Sequence, residues 1–113
     1  MNFLPRLLLA LSAASAMTAG VANAAELPTF RLSIKAGRFQ PETVEVPANT
    51  KFRLLIKNEG PGPEEFESTE LIKEKVLAEG VESFLIFQPL KPGSYAFFGE
   101  FHPDTAKGHI VAK

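Results

Sequence analysis

The sequence predicts an all-β fold: a Greek-key antiparallel β-sandwich, preceded by a cleavable signal peptide. Three observations support this prediction. Short segments alternate apolar and polar residues, turn residues separate these segments at roughly ten-residue intervals, and the 113 residues suit one small domain. No internal repeat or low-complexity tract divides the chain, so a single domain is expected.

The first residues have the three-part layout of a secretory signal peptide. A start with one positive side chain, Arg6, precedes an apolar, alanine-rich stretch over 7–21, and the small-x-small pattern Ala-Asn-Ala follows at 22–24. We therefore predict a signal peptide over 1–24 and a domain over 25–113. The exported protein is expected in the periplasm, with no membrane span after cleavage.

Strands are predicted wherever apolar residues recur with period two or form a short continuous run. Each is bounded by proline, glycine or asparagine, as in the turn at 47–49 and the loop at 58–63, whose two prolines and two glycines exclude a helix. Continuous apolar runs indicate more deeply buried strands than alternating runs do. The predicted strands lie within residues 30–35, 44–46, 52–57, 83–87, 95–98 and 109–111.

The segment 68–79 is ambiguous. Leu71, Ile72 and Val76 share one face of a helix that would end before Gly80, but residues 73–76 also fit a short strand. The all-β surroundings and the short chain favour the strand, which is the prediction made here.

Composition excludes several functions. The chain has no cysteine, which excludes disulfides, iron–sulfur clusters, thiol nucleophiles and copper–thiolate centres. Its formal net charge of −1 offers no basic excess for binding nucleic acid. Both methionines, Met1 and Met17, lie in the predicted signal peptide, so the exported protein would contain no sulfur.

Chemistry-bearing side chains concentrate in two clusters. Glu64, Glu65 and Glu67 stand at the beginning of a predicted strand, and Glu100 and His102 lie in the last long loop. Carboxylate oxygens with one imidazole suit Cu(II), Fe(II), Fe(III) or Mn(II) better than Cu(I). These five residues are the predicted metal ligands. No nucleophile motif or glycine-rich phosphate loop accompanies them, so catalytic residues are not assigned.

The segment GSYAFFGEFH at 93–102, followed by GHIV at 108–111, resembles the copper loop of cupredoxins. The segment KNEGPGPE at 57–64 is similar to the stretch that carries the first histidine ligand in that family. The resemblance implies that Glu64 replaces this histidine, Gly99 the cysteine and Ala106 the methionine, and that His102 alone is retained. A type 1 blue-copper centre needs the thiolate, so ordinary blue-copper electron transfer is not expected.

The combination of EEFE at 64–67 with GEFH at 99–102 resembles the EfeO-type and stand-alone cupredoxin-like domains associated with bacterial periplasmic iron transport. This resemblance implies a copper or iron ion as cofactor, and a periplasmic iron-binding protein and an inner-membrane permease as partners. It also implies a role in iron uptake, with Fe(II) oxidation or electron transfer as further options. Whether the protein is an enzyme, and whether it forms oligomers, is left open.

The sequence leaves two questions open: which glutamates are ligands, and whether the protein binds a metal at all. Strand alternation would place Glu64 on the face of Phe66 and turn Glu65 and Glu67 away from it, yet the family pattern favours Glu65 as a ligand. A metal-free interaction module on a cupredoxin fold is the competing function, because three of the four copper-ligand positions have lost their usual side chains.

Overall fold

The computed structural model describes residues 26–113, so the predicted signal peptide lies outside the described residues. The described chain is all β, with nine strands joined by turns and short loops. These strands are β1 Thr29–Lys35, β2 Arg38–Gln40, β3 Thr43–Val46, β4 Phe52–Asn58, β5 Glu64–Ser68, β6 Lys73–Leu77, β7 Glu82–Phe87, β8 Gly93–Phe98 and β9 Lys107–Ala112. Among these residues there is no helix long and apolar enough to cross a membrane.

The strands form two sheets, in the order β2-β1-β4-β7 and β3-β9-β8-β5-β6. The predicted Greek-key sandwich is confirmed, with one difference: the sheets are mixed, not purely antiparallel. β1 pairs parallel with β4, and β3 pairs parallel with β9. The chain visits the other sheet between these partners and returns in the same direction. Side-chain alternation is the same in both kinds of ladder, so the sequence pattern does not distinguish them.

Segment 68–79 confirms the predicted strand. Residues 69–72 make a turn, and β6 then pairs antiparallel with β5. Ile72 is 88% exposed and Val76 58% exposed, so two of the three apolar residues that would have formed the buried face of a helix face solvent. Strand pairing with β5 therefore prevails over the weak helical pattern.

Phenyl rings fill the space between the sheets. Phe66 of β5 lies at their centre, with its ring centroid 4.9 Å from Phe97, 6.3 Å from Phe39 and 6.5 Å from Phe87. Phe52 stacks on the other side of Phe87 at 4.9 Å. Edge-to-face and stacked rings contribute beyond the apolar area that they bury. The ring of Phe66 thereby holds β5 in a defined register against both sheets.

We predict that Phe66→Ala lowers the free energy of unfolding by roughly 3–5 kcal/mol, because it removes a fully buried ring that three other rings contact. The matched control is Phe84→Ala, where the ring is 49% exposed. The control should lower the free energy of unfolding much less. Urea denaturation followed by circular dichroism measures both, and equal losses would contradict the assigned central role.

Candidate functional site

The alternation of β5 separates its glutamates. Phe66 and Ser68 are buried on the inner face of the sheet, which places Glu64 beside them. Glu65 and Glu67 then lie on the outer face. The predicted set of metal ligands therefore does not form one site, because the sheet stands between its members.

Four glutamates meet on the outer face. Glu65, Glu67, Glu74 and Glu100 each offer a carboxylate oxygen, and these oxygens all lie within 4.8 Å of one another. We call this group the outer quartet. Three members belong to the predicted set. The fourth, Glu74, was missed, because it lies directly opposite Glu67 only through the pairing of β5 with β6, a segment whose structure the sequence left ambiguous.

Glu65 is the buried member of the outer quartet, with 3% of its surface exposed. Its Oε1 accepts a 2.8 Å hydrogen bond from the backbone N–H of Glu100. Burial is the largest cause that raises its pKa, to about 7, followed by a hydrogen bond shared with Glu74; the charges of Glu67 and Glu100 add to this, and the Glu100 N–H opposes it. A proton near neutral pH thus relieves the crowding of negative charge.

Glu64 and His102 form a separate pair on the inner side of the same sheet. Glu64 is 1% exposed, and the side chain of His102 is 47% exposed. His102 Nδ1 lies 3.1 Å from Oε1 with hydrogen-bond geometry, and 2.9 Å from Oε2. Although Oε2 is the nearer oxygen, its angles do not make a hydrogen bond, and it is a buried oxygen without a partner. We call these two residues the inner pair.

The loop after β8 carries members of both groups. It includes Glu100 of the outer quartet and His102 of the inner pair, and it is fastened to the β1–β2 turn. Thr105 Oγ1 donates a 2.7 Å hydrogen bond to the carbonyl oxygen of Gly37. A Cβ at Gly37, where φ is +74°, would lie 2.9 Å from the ring of His102, so glycine is needed for the ring to pack there.

Gly99 and Ala106 also lie together. They are the positions that the resemblance assigns to the cysteine and the methionine of cupredoxins. The Gly99 N–H donates to the carbonyl oxygen of Ala106 at 2.9 Å, and Ala106 is fully buried. A Cβ at Gly99 would lie 2.6 Å from the carbonyl oxygen of Glu65 and 3.1 Å from the Ala106 Cβ. The backbone therefore occupies the space that a thiol-bearing side chain would require.

The three phenylalanines of the loop region have different environments. Phe97 is buried in the core, Phe98 is half-buried on the outer face, and Phe101 is 48% exposed. Phe98 lies opposite Glu67, so it borders the outer quartet. The three rings are thus divided between the core and the surface.

The chain is similar in sequence to one protein family and to a protein of known sequence. The model of a cupredoxin-like domain family matches residues 7–112 of the chain. The chain belongs to the cupredoxin-like domain family. This cupredoxin-like protein is also 47% identical over 81 residues to "Uncharacterized protein RP394" of Rickettsia prowazekii (strain Madrid E). The matched part covers 72% of the chain and 65% of that relative, so the chain spans about two thirds of the relative's length.

Solved structures have the same fold at low identity. Auracyanin from Roseiflexus castenholzii is 13% identical with a TM-score of 0.63, over 75% of this chain and 96% of that one. The metal-binding domain of the Cu(I)-exporting P-type ATPase CopA of Streptococcus pneumoniae D39, solved with Cu(I), is 15% identical with a TM-score of 0.66, over 75% and 84%. A purple cupredoxin from Nitrosopumilus maritimus has a TM-score of 0.55 at 17% identity, over 74% and 99%.

A type 1 copper centre, which the fold family implies, does not fit the residues present. Such a centre requires a cysteine thiolate and two imidazoles. The chain has no cysteine, Gly99 has no room for a side chain, and the inner pair holds one imidazole beside a carboxylate. The inner pair offers two protein donors, and the outer quartet offers four, all of them oxygen.

We predict that Gly99→Cys does not produce a blue-copper protein and lowers stability by roughly 1–3 kcal/mol, because its Cβ would lie 2.6 Å from a backbone oxygen. Gly99→Ala is the matched control and should cost about as much, since the clash is with Cβ and not with sulfur. Thermal unfolding and the visible spectrum with Cu(II) measure these effects. An intense blue thiolate band in the cysteine variant would contradict the prediction.

The pKa of Glu65 predicts a pH dependence of stability in the metal-free protein. The pKa of Glu65 is about 7 in the folded state and 4.5 ordinarily, so between these pH values the folded protein holds a proton that the unfolded chain has lost. The contribution of Glu65 is therefore most favourable below about pH 4.5 and is lost as pH rises through about 7.

Glu65→Gln removes this dependence and keeps an oxygen for the Glu100 N–H. The melting temperature of the wild type minus that of this variant should decrease as the pH is raised from 5 to 8. Both are measured by circular dichroism in the presence of a chelator. Parallel changes in both proteins would show that Glu65 does not hold the proton.

Proposed function

We propose that this is an exported metal-binding protein that takes iron or Cu(II) at the outer quartet and acts in periplasmic iron uptake. The observation that carries the proposal is the convergence of four carboxylates within 4.8 Å, one of which is buried. The resemblance to domains of periplasmic iron transport and the predicted signal peptide support the cellular role.

The chemistry of the outer quartet favours a hard cation. Its donors are carboxylate oxygens, which suit Fe(III), Fe(II) and Mn(II), and neither a thiolate nor a thioether is present among residues 26–113 to attract Cu(I). A bound cation would favour the ionised carboxylate of Glu65 against the burial and the neighbouring negative charges that raise its pKa, and so would take the place of the proton that Glu65 holds.

Each member of the outer quartet has a distinct part in this proposal. Glu65 supplies a fixed, poorly hydrated carboxylate, and Glu67 and Glu74 face each other across neighbouring strands. Glu100 comes from the loop, so the metal would join the loop to the sheet. Binding and delivery need no electron acceptor, whereas oxidation of Fe(II) releases an electron; the proposal is therefore restricted to binding and delivery.

The resemblance also suggests the partners. A periplasmic iron-binding protein and an inner-membrane permease would receive the ion from this protein or pass it on. The outer quartet lies on a sheet face with Glu74 and Glu100 exposed, so an acceptor could reach the ion without unfolding of the sandwich.

A calorimetric titration of the metal-free protein with Fe(II), under anaerobic conditions, and with Cu(II) tests the proposal. Binding at micromolar or tighter affinity is expected, with a rise in melting temperature. Glu67→Gln combined with Glu74→Gln should weaken it by roughly tenfold or more, because two ligands lose their charge. Glu42→Gln, an exposed carboxylate outside both groups, is the matched control and should not change the affinity.

His102→Ala locates the site within the fold. If the outer quartet binds the metal, this variant should change affinity much less than the double glutamate variant does. If His102→Ala weakens metal binding more than the double glutamate variant does, the metal binds at the inner pair. If neither metal gives heat or raises the melting temperature, the metal-binding proposal is wrong and the metal-free interaction module takes its place.

A further inference from the structure

The outer face of the β2-β1-β4-β7 sheet is strongly basic. Buried residues of each strand define its inner face, and the intervening residues point outward. The outward residues include five basic side chains and one acidic one: Arg31, Lys35, Arg38, Arg53, Lys57 and Glu82. Glu82 Oε2 lies 3.7 Å from Arg31 Nη1. This ion pair is exposed to solvent and therefore compensates little of the positive charge. We call this surface the basic face.

The opposite side of the sandwich has the reverse charge. Strand residues on the outer face of the second sheet include four acidic side chains and one basic one: Glu45, Glu65, Glu67, Glu74 and Lys107. Residues 26–113 contain 11 basic and 13 acidic side chains, so the basic face does not follow from composition. The arrangement of the strands separates the charges.

An apolar row crosses the middle of the basic face. Phe84 of β7 lies opposite Leu55 of β4, which lies opposite Arg31 of β1. Phe84 is 49% exposed, and Leu55 and Ile86 beside it are half-buried. The guanidinium of Arg53 lies 5.5 Å from the centre of the Phe84 ring, a cation–π contact. The exposed aromatic ring is therefore in contact with one of the cations of the basic face.

A depression of about 320 Å³ lies beside this row. Arg31 and Lys57 line it together with the carboxylates of Glu59 and Glu82 and with the polar side chains of Ser33 and Gln40. Its two cations and two carboxylates balance in charge, so the depression adds shape and polar groups to the basic face but no net positive charge. The basic face thus combines a half-exposed apolar centre, an excess of cations and an adjacent polar recess.

We propose that the basic face is a docking surface for an acidic protein partner. Phenylalanine and arginine are enriched in protein interfaces, whose centres are apolar and whose rims are polar. Three of the five cations are arginines, which bind carboxylates through two parallel hydrogen bonds. A membrane surface fits less well, because one half-exposed ring that the Arg53 guanidinium contacts offers little apolar surface for insertion into lipid. This inference does not depend on metal binding.

Two synthetic peptides of equal length test the proposal. One places glutamates around a central phenylalanine, and the other replaces the glutamates with lysines. Binding is followed by fluorescence anisotropy, and amide chemical shifts of the ¹⁵N-labelled protein locate it. We expect the acidic peptide to bind at low salt and to shift amides of β1, β4 and β7, and the basic peptide not to bind there.

Variants separate docking from simple charge attraction. Phe84→Thr and Arg53→Glu should each weaken binding of the acidic peptide by roughly tenfold, because each removes part of the interface centre. Lys107→Glu changes the net charge as Arg53→Glu does, but on the opposite face, and Val76→Thr removes a comparably exposed apolar group there. Neither control should weaken binding more than about twofold, within the range of energetically near-neutral positions.

Several results would overturn the proposal. Equal binding of the basic peptide, amide shifts confined to other strands, or no effect of Phe84→Thr would show that the face is not a docking surface of this kind. Tighter association with phosphatidylglycerol vesicles than with the acidic peptide would identify a membrane surface instead. Self-association in analytical ultracentrifugation that Phe84→Thr abolishes would identify a second copy of this chain.

Discussion

The alternation of side chains along β5 is the constraint on which the site depends. Phe66 is held among three phenyl rings in the core, so the residues on either side of it must face outward. Glu64 consequently lies on the inner side with His102, whereas Glu65 joins Glu67 on the outer side. A shift of one residue in this strand would exchange the two groups and place the phenyl ring in solvent.

The loop after β8 connects the two groups and leaves no room for a thiol side chain at Gly99. Its backbone packs directly on β5: Glu100 donates its N–H to Glu65, and Gly99 approaches the Glu65 carbonyl so closely that no Cβ fits. The same close approach that removes room for a thiol brings a fourth carboxylate to the outer quartet. The cupredoxin-like fold is thus retained without a thiolate, while four carboxylates converge on its outer face.

The sandwich also separates charge between its two outer surfaces. One sheet exposes arginines and lysines around Phe84, and the other exposes glutamates around the proposed metal site. Because both surfaces are sheet faces, each strand needs only to alternate in order to present its charged residues outward. A partner on the basic face would leave the outer quartet accessible to an ion, so that docking and metal binding occupy different sides of one small domain.

The sequence by itself determined the all-β class, the positions of most strands and the absence of thiolate chemistry. It also identified five of the six residues that make up the outer quartet and the inner pair. It did so because period-two alternation, turn residues and residue identity are local properties. Only the tertiary structure decided that β1 and β4 run parallel, that Glu74 faces Glu67, and that His102 contacts Glu64 and stands apart from the other glutamates. These are pairings between distant segments, and they depend on which strands become neighbours when the phenyl rings are buried together.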